Sequence, residues 1–175
     1  MNQEKGAGLP EPWLRGTLTE VASVARAVLH ALELAGEDLQ YWAGNMSDEE
    51  LNSRPSDIAP VAFHIRHIAR SVDRLLTYAE GSQLSAEQTA RLRSELEPGA
   101  ECEELFNELV GALKLSMERV RALATSDMSA KREVGGKRLP TTLGGLLVHV
   151  ADHTQRHVGQ ALTTAKIVIS KSAAT

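Results

Sequence analysis

Histidine is the residue type in this chain that most strongly indicates a chemical site, because five of the six histidines fall in two short segments. His64 and His67 lie in one segment, and His149, His153 and His157 lie in the other. Imidazole is the commonest protein ligand for metal ions and suits Zn, Ni, Cu and Fe. Two imidazoles four residues apart on a helix project in the same direction and can share an ion. A third imidazole from a facing helix would complete a three-nitrogen site whose open positions are typical of a catalytic metal.

The elements that must position these side chains are predicted to be helices. Apolar residues recur at spacings of three and four and predict four long amphipathic helices. The predicted helices cover residues 17–43, 60–79, about 101–125 and about 141–170. A capping pair at Ser47 and Glu50 predicts a short helical turn, and residues 82–97 are predicted to form a loop with a short surface helix. The fold class is therefore predicted to be all-α, a four-helix bundle with long connections between helices.

One domain is expected to span residues 15–170, with loose ends at 1–14 and 171–175. The chain has 175 residues, a net charge of −4 and six aromatic residues, which predicts a single aliphatic core. The acidic balance argues against nucleic-acid binding. A single cysteine excludes an internal disulfide framework and a cysteine-rich zinc module. No apolar run reaches the ~20 residues that cross a bilayer and no signal-peptide core is evident, so we expect a cytoplasmic protein without membrane contact.

Helical wheels rank the histidines by their angle from each apolar stripe. On the fourth predicted helix, His157 lies about 40° from the centre of the stripe, His153 about 80° and His149 about 120°. On the second helix, His64 lies about 60° from the centre and His67 about 120°. The wheel therefore favours His153 and His157 as the inward pair. It slightly prefers His64 to His67 and leaves that choice open.

Two segments resemble the DinB/YfiT-like superfamily of small metal-binding bundles. They are VAFHIRHIARSVDRLLTYAEG (61–81) and TTLGGLLVHVADHTQRHVGQALTTAKIV (141–168), and with the helix pattern the resemblance extends over most of the predicted domain. The family hallmark is one histidine on the second helix and an HxxxH pair on the fourth, often followed by Gln. The HIAR run matches His67 to the first position, and HTQRHVGQ matches His153 and His157 to the others. The resemblance thus implies a divalent metal ion (Zn, Ni, Fe or Mn) at these three histidines.

Several neighbouring residues are candidates for supporting the metal ligands. His64 and His149 are not required by the motif and are predicted either to orient the ligands or to replace one of them. A ligating histidine normally donates its second N–H to a carboxylate, carbonyl or water. Asp152 and Asp73 are candidates for that role, and solvated surface charges are the alternative. Gln160 shares the face of the HxxxH pair and is predicted to line the cleft.

Three further features are predicted to lie outside the site. His30 is off the apolar stripe of the first helix and is expected at the surface. Cys102 stands among glutamates, which raise a thiol pKa and argue against a reactive nucleophile. The basic residues of the polar stretch 126–140 are interpreted as a solvated loop, with attraction of an anionic substrate as the alternative.

The resemblance implies a metal-dependent enzyme that acts on a small molecule. Characterised relatives include transferases that use a low-molecular-weight thiol such as bacillithiol or mycothiol, and others are described as metal-dependent hydrolases. No Asp or Glu is evident on the inward stripes to act as a general base, which favours thiol activation over hydrolysis, and no catalytic residue is singled out. The competing hypotheses are a non-catalytic or stress-response bundle with a structural or sensing metal, and a bundle with no metal. A homodimer is also expected from the resemblance.

Overall fold

The computed structural model describes residues 10–172, and this part of the chain is mostly helical. It contains six α-helices and one two-stranded antiparallel sheet. The elements, in chain order, are α1 (Ser23–Ala43), α2 (Asp48–Asn52), α3 (Val61–Ala79), α4 (Ala86–Arg93), α5 (Cys102–Leu123), β1 (Lys131–Val134), β2 (Leu139–Thr142) and α6 (Leu143–Ser172). The predicted loose ends fall partly at 1–9 and 173–175, outside the described residues.

Four long helices pack around a shared core. Helix α6 packs against α1 and α3, and α5 packs against the same two helices. The largest fully buried side chains are aliphatic, as the scarcity of aromatic residues predicted; they include Leu29, Leu32, Leu39, Ile65, Ile68, Leu76, Leu109, Leu143 and Leu147. No helix within residues 10–172 combines the length and the apolar character needed to cross a membrane.

The predicted all-α fold class is confirmed, because the described residues are mostly helical, with one small sheet in addition. Strands β1 and β2 form a hairpin in which Lys131 pairs with Thr142 and Val134 pairs with Leu139, within the stretch that was interpreted as a polar loop. Gly135, at a φ of 73°, supplies the left-handed conformation that the turn requires. The signal was weak because each strand has only four residues and neither has a buried face.

The first helix begins six residues later than its apolar pattern predicted. Leu18 has a φ of 59°, and Pro12–Leu14 forms a 3-10 turn with Pro12 buried. Arg15 donates hydrogen bonds to Glu33 at 2.9 Å and to Glu37 at 2.7 Å. These long-range ion pairs hold the preceding chain back along α1, so it does not extend the helix.

Other helix ends follow local sequence chemistry. Ser47 and Glu50 form the predicted reciprocal capping box at the start of α2. At the start of α6 the Thr142 hydroxyl accepts a hydrogen bond from the Gly145 N–H at 3.1 Å, so Thr142 is the N-cap. Helix α6 continues to Ser172, two residues past its predicted end.

Candidate metal centre

Three imidazoles from two neighbouring helices converge at one point. His67 lies on α3, and His153 and His157 lie one turn apart on α6. The Nε2 atoms of His67 and His153 are 2.9 Å apart, and the ring centroids of His67 and His157 are 4.2 Å apart. One nitrogen from each of the three rings lies within 4.8 Å of the other two. The α3–α6 packing therefore brings together the three histidines that the sequence motif selected.

A buried carboxylate fixes the orientation of His67. Nδ1 of His67 lies 2.6 Å from Oε2 of Glu95, and Glu95 is only 4% exposed. Burial alone would raise the pKa of Glu95, but hydrogen bonds from His67 and Arg74 outweigh that effect and hold the pKa below its usual value. An ionised carboxylate can only accept hydrogen bonds, so Nδ1 of His67 carries the proton. The lone pair of His67 is then on Nε2, the atom that faces His153.

Three arginines on α3 hold the segment that delivers this carboxylate. Arg66, Arg70 and Arg74 are four residues apart and share one face of the helix. Arg66 donates to the carbonyl oxygen of Glu97 at 2.8 Å, and Arg70 donates to the Ser94 hydroxyl at 2.9 Å. Arg74 donates to the second oxygen of the buried carboxylate at 2.5 Å. The polar segment after α4 is therefore ordered against α3 through its side-chain and backbone oxygens.

Sequence reasoning missed Glu95. Among the described residues, it is the only carboxylate that contacts the three-histidine group. The segment 82–97 was predicted to form a loop with a short surface helix because its residues alternate charge and polarity. The available signal was the row of arginines spaced by four on α3, next to the histidines. Partly buried guanidinium groups require acceptors, and the segment that follows α3 contains Glu87, Glu95 and Glu97.

His64 is more deeply buried than His67, as the wheel indicated, but it lies outside the three-nitrogen group. It is 5% exposed, and its Nδ1 lies 3.1 Å from Nδ1 of His157. Phe63 packs edge-on against His64 and stacks on His67, with ring centroids 5.1 and 5.3 Å apart. His64 therefore occupies the position of a partner that orients His157, while the less buried His67 faces the cleft.

Burial keeps most of these imidazoles neutral. Burial first, and the neighbouring imidazoles second, lower the pKa of His64, His153 and His157 to about 4. These rings are therefore unprotonated at neutral pH, the state in which imidazole binds a metal.

The remaining predicted partners of the site make other contacts. Asp152 pairs with Arg156 at 2.5 Å and lies 3.8 Å from Nδ1 of the half-exposed His149; it makes no contact with the three-histidine group in the described structure. Asp73 pairs with Arg119 at 2.7 Å instead of supporting a histidine. Gln160 is exposed and lines a cavity beside His64.

The features expected outside the site had mixed outcomes. His30 is buried, contrary to the surface prediction, because its Nε2 lies 3.2 Å from the Thr17 hydroxyl in the segment folded back on α1. The pKa of Cys102 is raised, the predicted direction, but burial first and Asp48 second raise it, not the neighbouring glutamates. The basic stretch forms the hairpin, where Arg132 donates to the carbonyl of Ala79 at the far end of α3.

The donor set fits a divalent transition-metal ion. The lone pair of His67 is available on Nε2, and the facing nitrogen of His153 either donates a proton to it or joins it on a shared cation. Three imidazoles suit Zn, Ni or Fe better than the hard ions Mg and Ca. His67 also has the carboxylate partner that metal-ligating histidines almost always have. His67, His153 and His157 are the residues that would hold such an ion.

Comparison with known proteins gives one clear match. Residues 31–161, about three quarters of the chain, match the DinB superfamily. No curated protein is significantly similar to the chain. The matched range begins within α1, ends within α6 and includes all three convergent histidines.

Proposed function

Because the chain belongs to the DinB superfamily, we propose that its function depends on a divalent metal ion bound by His67, His153 and His157 with open coordination positions. The observation that carries this proposal is the convergence of one nitrogen from each ring within 4.8 Å. On the pairwise packing of α1, α3, α5 and α6 we further infer a four-helix bundle of the DinB type.

The proposed activity is a metal-dependent transferase that uses a low-molecular-weight thiol. A bound divalent ion supplies Lewis acidity and stabilises a thiolate or hydroxide. Glu95 does not serve as a general base for water in this proposal, because both of its oxygens accept short hydrogen bonds and it is almost completely buried. Within residues 10–172, no other carboxylate contacts the three imidazoles, which favours thiol transfer over hydrolysis.

The protein's own residues have distinct roles in this proposal. Glu95 holds the proton of His67 on Nδ1, which leaves Nε2 for the ion. His64 pairs with Nδ1 of His157 in the same way. Phe63 stacks on His67 and restricts the rotation of its ring.

Elemental analysis of the purified protein tests the metal site. We expect about one equivalent of metal in the wild type, and its loss in His67→Ala, His153→Ala and His157→Ala. His149→Ala is the matched control, because His149 lies on the same face of α6 but is half-exposed and outside the group. Metal retained in His67→Ala and lost in His64→Ala would show that the ligand assignment is wrong.

Activity assays then separate the candidate functions. Protein loaded with Zn, Ni, Mn or Fe is expected to be active in thiol-transfer assays and inactive on simple esters and amides. Hydrolysis without thiol transfer would favour the hydrolase alternative. No activity in either panel, with four protein ligands seen by X-ray absorption, would favour the structural or sensing metal. Homodimer formation and a cytoplasmic location stay predictions.

A further inference from the structure

A cavity of about 450 Å³ opens beside His64. Residues from α6 and from the chain before α3 line it, among them Arg156, Gln160, Thr163 and Ile58. Its volume is within the range of about 300–1,000 Å³ that small-molecule sites occupy. His64 contacts both this cavity and His157, so the cavity adjoins the proposed metal site.

The electrostatics of the cavity favour a single negative charge. Arg156 is the one cation among the described lining residues, and none of those residues is acidic. Nη2 of Arg156 donates to Asp152 at 2.5 Å, but both side chains are more than half exposed. Exposed pairs of this kind contribute only about 0–1 kcal/mol, so a ligand can compete for the guanidinium. Gln160 adds a neutral donor beside it, whereas the Thr163 hydroxyl donates to the carbonyl oxygen of Gly159 at 2.8 Å.

The contact between His64 and His157 makes His64 a further donor. If His157 binds an ion through Nε2, its proton must be on Nδ1, and it is donated to Nδ1 of His64 at 3.1 Å. A neutral His64 then carries its own proton on Nε2. In the described structure that nitrogen has no hydrogen-bond partner, and the residue lines the cavity. The tautomer that permits metal binding therefore provides an unused N–H beside Arg156.

We infer that this cavity binds a carboxylate of the substrate, with Arg156 and His64 as donors. The planar guanidinium matches the two oxygens of a carboxylate, and one cation with neutral donors matches its single charge. This inference rests on the proposed metal site, because the substrate would contact the ion with its reacting group and the cavity with its carboxylate.

Paired thiols of equal shape test the inference on protein loaded with Co²⁺. The probes are 3-mercaptopropionate and 4-mercaptobutyrate, each compared with its neutral amide. Isothermal titration calorimetry measures binding in any mode, and the thiolate-to-cobalt absorption band reports contact with the ion. We expect Arg156→Gln to weaken binding of at least one carboxylate thiol about tenfold and to leave the amides unchanged. Arg138→Gln removes an exposed arginine on the hairpin. It should change the binding of neither the carboxylate thiols nor the amides.

The outcomes separate this inference from the proposed function. Two results, each with stoichiometric cobalt binding, would overturn the inference and leave the metal site intact. In the first, Arg156→Gln weakens binding of the carboxylate thiols and of the amides equally. In the second, neither carboxylate thiol binds. Failure to bind cobalt, or cobalt retained when all three histidines are replaced, would refute the proposed function and the inference together.

Discussion

Replacing Glu95 by Gln is the most informative single perturbation, because this carboxylate joins the proposed metal site to the packing of the fold. Its two oxygens accept from Nδ1 of His67 at 2.6 Å and from Nη1 of Arg74 at 2.5 Å. Both partners are donors, whereas an amide offers one acceptor and one donor. A glutamine of the same shape can therefore satisfy only one of them.

Either orientation of the new amide has a cost that can be measured. If the amide nitrogen faces His67, the histidine must move its proton to Nε2, and its metal-binding lone pair is lost. If the nitrogen faces Arg74, a nearly buried guanidinium loses its acceptor. Changes in partners of metal-ligating histidines typically reduce metal affinity about 10–100-fold. One unsatisfied buried group costs about 1–3 kcal/mol of unfolding free energy. A histidine can move its proton whereas a guanidinium is always a donor, so we expect the first orientation and a loss of metal affinity in Glu95→Gln.

Glu108→Gln is the matched control. Glu108 pairs with Arg70 at 2.8 Å and with Arg91, in the same layer between α3, α4 and α5, but it contacts no histidine. The Glu108→Gln protein should have a lower unfolding free energy than the wild type and the same metal affinity. Competition with a chromophoric chelator measures the affinity, and urea unfolding of chelator-treated protein measures the stability. Wild-type affinity in Glu95→Gln, or an equal loss in Glu108→Gln, would refute the tautomer reasoning.

Three further predictions concern the metal-free protein. Leu147→Ala, at a fully buried position of α6, should lower the unfolding free energy by about 2–5 kcal/mol in urea titrations, and a loss below 1 kcal/mol would contradict its core position. Ser47→Ala should cost about 0.5–2 kcal/mol by removing the α2 capping box, with Ser47→Asp as the variant that restores it. The pKa values of His64, His153 and His157 are lowered by burial to about 4 in the folded state, against about 6.5 in an unfolded chain. Unfolded chains therefore take up protons first as the pH falls below 6.5, so the unfolding free energy should decrease from pH 7 to pH 5; a constant value across that interval would contradict the assigned burial.

The amino-acid sequence by itself determined the long helices and the identity of the three convergent histidines. Periodic apolar residues specify helices because the spacing of three and four is a local property of the backbone. The HxxxH pair on α6 is likewise local, since a separation of four residues sets both rings on one side of a helix. The motif match selected His67, which lies in the convergent group, where the wheel slightly preferred the more buried His64; that His67 binds a metal stays a prediction.

The tertiary structure contributed what depends on long-range contacts. Glu95 reaches His67 across 28 positions of sequence, from a segment without an apolar pattern, because arginines on α3 supply the donors that order it. The late start of α1 depends on the ion pairs of Arg15 with Glu33 and Glu37, about three and four turns into that helix. Burial of His64 beside a cavity likewise depends on how α3 meets α6. Ion pairs and cavities of this kind arise between segments far apart in the chain, and no local periodicity encodes them.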